Sequence, residues 1–187
     1  MMILKYIKSG IVIMIVALCS AQNVRADLQP HPEYEVKAAF IYNFLNLIDW
    51  PINQEFNDTI NLCVVGKNQF GTTLENVDYS VIGNKTLTVK YVQSFQDIGD
   101  SNVVFVSSSE KRRLKQIHQT LTDTNVLTIG DTKGFAQQGV IINFYIKDDN
   151  VHFEINVDAA KRAGLKISSK LLRLSKIVNE TPKRKDK

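Results

Sequence analysis

The chain is poor in the residues from which catalytic and metal sites are usually built. Among 187 residues there are two cysteines and three histidines. His31, His118 and His152 have no His, Cys or acidic residue at zinc-ligand spacing beside them, so no metal site is indicated. Asp148 and Asp149 belong to a turn, and no other carboxylate pair stands out as an acid/base couple. Ser168 and Ser169 lie two residues and one residue before Lys170, not one helical turn away, so neither shares a face with a lysine base. GKNQFGTT, Gly66 to Thr73, has the position of a phosphate-binding loop, but Thr72 stands where the lysine belongs. With no catalytic constellation and no cofactor motif, the residues give no sign of an enzyme.

Long apolar runs are also missing. The strictly apolar run, IVIMIVAL from Ile11 to Leu18, falls far short of the ~20 residues a membrane-crossing helix needs. It follows Lys5 and Lys8 and precedes VRA, ending at Ala26, which is the pattern of a cleaved export signal over residues 1–26. A retained anchor and lipidation at Cys19 are the alternatives, the second weakened by the bulky Leu18 before it. Cleavage leaves Cys63 as a lone thiol in the apolar run INLCVVG, a setting that favours a small buried hydrophobe over a nucleophile. The formal charge of +4 resides in the signal and in PKRKDK, residues 182–187, a solvated basic tail. Since the body between them is slightly acidic, the charge gives no argument for nucleic-acid binding.

What is present between residues 27 and 181 is one α/β domain. YEVKAAFIYNFLNLIDWP carries a helical stripe of Val36, Ala39, Phe40, Phe44 and Leu47 that Trp50 and Pro51 bring to an end. Short apolar runs then alternate with polar and helical stretches: Ile60 to Gly66, Thr86 to Val92, Asn102 to Ser107, EKRRLKQIHQTL, and VLTIGD from Val126. This alternation predicts a doubly wound, mostly parallel sheet with helices on both faces. Val140 to Ile146 and Val151 to Val157 flank Lys147, Asp148, Asp149 and Asn150, an antiparallel hairpin appended to that sheet. Two closing helices follow, DAAKRAG and SSKLLRLSKIV, with Gly164 as a stop and Ser168 as an N-cap.

Two segments are candidates for function. Ligands of open parallel sheets settle beyond the strand C-termini, where the pattern places Gly66, Gly71, Gly130, Asp131 and Phe135. Either these residues line a ligand crevice, or the glycines only shape connections. In LKISSKLLRLSKIV, a helix would bury Ile167, Leu171, Leu174 and Val178, and would turn Lys166, Lys170, Arg173 and Lys176 outward as a cationic ridge. That ridge is either a partner surface or a solvated face.

The blocks KAAFIYNFLNLIDWP, INLCVVGKNQFG, NVVFVSSSE, VLTIGDTKGFAQQGVIINF and FEINVDAAKRAGLKISSKLLRLSKIV, taken in order, resemble the YfiR-like family of bacterial periplasmic proteins. The resemblance implies a non-enzymatic repressor that binds the periplasmic sensor region of an inner-membrane diguanylate cyclase, lowering cyclic-di-GMP and biofilm formation. It implies sequestration by an outer-membrane peptidoglycan-binding lipoprotein, and it leaves a homodimer open. On it, Glu154, Asn156, Lys170 and Arg173 are the expected partner-binding residues. The alternative is a periplasmic small-molecule-binding module feeding another membrane sensor. Family members often carry a second cysteine where this chain has Ser101 and Asn102, so a family-type disulfide to Cys63 is not available.

Overall fold

The computed structural model describes residues 32–51, 58–122 and 124–179, so the expected export signal, Cys19, His31 and the expected basic tail lie outside the described residues. Helix α1 (Pro32–Leu45) opens the domain and is followed by the two-residue strand β1 (Ile48–Asp49). Strands β2 (Thr59–Val65), β3 (Val81–Ile82), β4 (Lys85–Val92), β5 (Val103–Val106), β6 (Leu127–Gly130), β7 (Ile142–Lys147) and β8 (Asn150–Asn156) come next, with helix α2 (Leu114–Leu121) between β5 and β6. Helix α3 (Val157–Arg162), strand β9 (Lys166–Ile167), helix α4 (Ser169–Leu174) and strand β10 (Lys176–Val178) complete it.

Eight strands form one sheet in the order β10-β8-β7-β6-β5-β2-β4-β3. Pairing is parallel from β4 through β2, β5 and β6 to β7, and antiparallel at β7/β8 and β3/β4. The mostly parallel α/β fold expected from the alternating pattern is therefore present. Every residue of β5 and β6 is buried, as continuous apolar strands covered on both faces require. On one face, α1, α3 and α4 cover Leu62, Val64, Phe105, Ile129, Ile142, Phe144, Phe153 and Ile155. On the other, α2 and the segment around Phe135 cover Cys63, Val65, Val104 and Val106. Cys63 is a free, buried thiol, and its pKa is pushed up by that burial. The hairpin turn holds Asp148 and Asp149 at φ 50° and 57°, the left-handed pair that a tight two-residue connection demands.

Two expectations about helices are corrected. Helix α1 buries Tyr34, Lys37, Ala38, Ile41, Phe44 and Leu45, while Val36 is exposed. The buried stripe is rotated from the one hydropathy selects, because a lysine belongs to it. The C-terminal segment is not one long helix. Ser168 caps α4 by accepting the Leu171 backbone N–H, as expected, but α4 ends at Leu174. Lys176–Val178 then turn extended and pair in parallel with Glu154–Asn156 of β8. The β-branched residues Ile177 and Val178 gain a ladder there that a further helical turn would forfeit. Leu171 is 2% exposed and Leu174 is 66% exposed. Leu171→Ala should therefore cost about 2 to 5 kcal/mol. Leu174→Ala should stay within about 0.5 kcal/mol. Urea unfolding of the two variants checks both.

The N-terminal half of GKNQFGTT forms a turn and not a helix start. Asn68 accepts the Phe70 N–H and donates to the Gly71 carbonyl, and Thr73–Asn76 is a single 3-10 turn. No α-helix N-terminus is available at this loop to hold an anion.

Candidate functional site

In the sheet order, β4 and β5 lie on opposite sides of β2, so the chain reverses direction across the sheet at the C-terminal end of β2. Such a switch point is where an open α/β sheet usually offers a crevice. Here the chain fills its own crevice. Gly66 has φ +93°, and a Cβ on it would lie 2.4 Å from Ser109 Oγ and 2.8 Å from Glu110 Cγ. Ser109 Oγ accepts the Lys67 N–H, and Glu110 is buried beside it. Gly66 thus shapes a connection. Phe135 is fully buried in the second core, and its ring lies 2.8 Å from where a Gly130 Cβ would be. Gly130 is needed for that close approach.

Asp131 has a different environment. Its side chain is 3% exposed, and Oδ2 accepts from Lys37 Nζ at 2.9 Å and from the Tyr34 hydroxyl at 2.6 Å. Lys37 also pairs with Glu33 one turn earlier and sits 4.1 Å from the centre of the Tyr34 ring. The Tyr34 hydroxyl further contacts Gln69, whose amide donates to Ser108. Burial, then the Asp131 carboxylate, pushes the Tyr34 pKa far up, so the phenol keeps its proton as a donor. This network ties the start of α1 to the end of β6. Sequence reasoning found Asp131 but missed Tyr34 and Lys37. The signal available was a lysine three residues from a tyrosine, on the face that also holds Ile41 and Phe44.

Beside Asp131 the sheet carries a polar row. Gly130 of β6 registers with Asn143 of β7, Asn143 with Glu154 of β8, and Glu154 with Lys176 of β10. Directly paired residues project to the same face, so the side chains of Asn143, Glu154 and Lys176 form one ladder across three strands, beside the bare Gly130. Asn143 Nδ2 donates to Glu154 Oε1 at 3.3 Å, and Lys176 Nζ donates to Glu154 Oε2 at 3.2 Å. The row lies in an open groove of roughly 660 Å³, also lined by Asp131, Lys133, Gln137 and Tyr145.

The residues expected to bind a partner separate into two groups. Glu154 is buried in the ladder. Asn156 is fully buried and has both ends of its amide engaged, accepting the Ala159 N–H as the cap of α3 and donating to the Ala136 carbonyl. Asn156 therefore has a structural task and offers no free group to a partner. Lys170 and Arg173 are exposed on α4. They do not extend into a ridge with Lys166 and Lys176, which lie in β9 and β10. Beside them, Leu174 and Ile177 are exposed, and β10 is the outer strand of the sheet. Among the described residues no group of three His, Cys, Asp or Glu could hold a metal, and no helix is long and apolar enough to cross a membrane.

The sequence profile of the YfiR/HmsC-like family matches residues 34–176, nearly all of the described domain. The chain belongs to this family. The match spans α1, the whole parallel sheet, the polar ladder and α4, and its last residue is Lys176. Among solved structures, the chain is similar to an ABC domain in complex with L-Trp from Streptococcus pneumonia, at 9% identity and a TM-score of 0.55 over 78% of this chain. It is also similar to a conserved domain protein from Vibrio cholerae O1 biovar El Tor, at 11% identity and a TM-score of 0.54 over 79% of this chain. In each case it spans 60% of the length of the other protein. At such identities the likeness is one of fold alone.

Proposed function

We propose that this YfiR/HmsC-like chain is a periplasmic regulator that binds the sensor region of an inner-membrane diguanylate cyclase and holds it inactive. The family match over residues 34–176 carries the proposal. The exposed end of the domain supports it. Lys170 and Arg173 stand beside the exposed apolar residues Leu174 and Ile177, next to a short outer strand whose free edge can accept a strand from a partner. A peptidoglycan-binding lipoprotein that sequesters the regulator would compete for the same surface. The chemistry is binding, with no reaction step.

The test is a titration of the purified chain against the sensor region of a diguanylate cyclase from the same cell. The double variant K170E/R173E should unfold within about 0.5 kcal/mol of the parent, because exposed charges contribute little to stability. It should bind at least about tenfold more weakly, by an amount that shrinks as salt rises. A folded double variant that binds like the parent would make α4 a solvated face.

A second reading, a small-molecule-binding module, is favoured by one observation: the open groove over the polar ladder. A ligand that binds only the folded state must raise the melting temperature. A screen of nucleotides, amino acids, amines and anions without any shift would remove this reading.

A further inference from the structure

The groove over the ladder has unspent hydrogen-bonding capacity of one kind. Asn143 is fully buried, and the orientation of its amide is fixed chemically. Its Nδ2 faces the Glu154 carboxylate, which can only accept, so Oδ1 is the atom that points away. That Oδ1 has no hydrogen-bond partner. Neither does Asp131 Oδ1, the second oxygen of a carboxylate whose other oxygen serves Lys37 and Tyr34. Gln137 lines the same groove, and its Oε1 is also without a partner. Three residues lining one groove therefore each leave a buried acceptor open. Buried acceptors left unpaired are costly, so the site favours whatever supplies donors.

We propose that this groove binds a small molecule through a primary ammonium group, whose three N–H donors meet Asp131 Oδ1, Asn143 Oδ1 and Gln137 Oε1. A metal ion is a poorer match, since no group of three His, Cys, Asp or Glu is present among the described residues and Asp131 is the one carboxylate among the three acceptors. An anion is poorer still, because the open atoms are acceptors. Gly130 contributes by lacking a side chain, since a Cβ there would lie 3.2 Å from Asn143 Oδ1. Tyr145 and Ile146 supply an apolar wall for the rest of the ligand. The proposal extends the small-molecule reading by naming the chemistry and the atoms, and it is independent of any cyclase.

Putrescine and 1,4-butanediol have similar length and differ in ammonium against hydroxyl, and both can be titrated into the purified chain by calorimetry and thermal shift. Putrescine should raise the melting temperature and the diol should not. Gln137→Ala, at a half-buried position, should weaken putrescine binding at least about tenfold, and Asn143→Leu should abolish it. If Asn143→Leu fails to fold, the Gln137 variant decides. Absence of putrescine binding, equal binding of the diol, or undiminished binding by a folded Gln137→Ala protein would each overturn the proposal. A shift with other compounds alongside none with putrescine would keep the small-molecule reading and discard the ammonium.

Discussion

Replacing Lys37 with Met should lower the unfolding free energy by about 3 to 5 kcal/mol, because a buried carboxylate loses its cation. Lys37 is 2% exposed and bridges Glu33 and Asp131, and the Asp131 side chain is itself 3% exposed. In the variant, Asp131 keeps only the Tyr34 hydroxyl on Oδ2, and its other oxygen is unpaired already. The cost is the stranded charge more than the lost attraction, which a second change can separate. Asp131→Asn combined with Lys37→Met removes both charges, so the pair should cost clearly less than the two single changes added together. Urea unfolding of the four proteins measures the coupling. Strict additivity would mean that the two side chains do not stabilise one another.

Phe44→Ala should be of similar size, about 3 to 5 kcal/mol, for a different reason. Phe44 is 1% exposed and sits among three other rings, with centroids 5.8 Å from Phe40, 5.7 Å from Phe144 and 4.8 Å from Phe153. These contacts fasten α1 to the β7/β8 hairpin, so truncation opens a cavity between a helix and two strands that pair rigidly with each other. A lower urea midpoint at unchanged m-value would show lost stability without a change in the unfolded state. Phe40→Ala should cost less, since Phe40 is only partly buried.

These two residues also show which features the sequence displays. Phe44 was evident as a core residue, because aromatic spacing along a helix is a strong signal, and the strands at Ile60, Val103 and Leu127 stand out as apolar runs between polar breaks. The hairpin was evident from its Asp-Asp turn. Lys37 was not. Hydropathy assigns a lysine to the solvent face, and its partner Asp131 is distant in sequence. The C-terminal segment misled for the opposite reason. Leu171 and Leu174 have helical spacing, but the pairing of Lys176–Val178 with β8 is a tertiary gain that local periodicity cannot register. Within the candidate site, Asp131 was evident from its place after a strand, whereas the Asn143–Glu154–Lys176 row depends on cross-strand register. Asn156, expected among the partner-binding residues, is a buried helix cap.

If this chain represses a membrane diguanylate cyclase, as proposed, intracellular cyclic-di-GMP after deletion of its gene is the most direct test. Deletion should raise the level, and restoring the parent chain should return it to baseline. An unchanged level in the deletion strain, with the candidate cyclase shown to be expressed, would contradict the account.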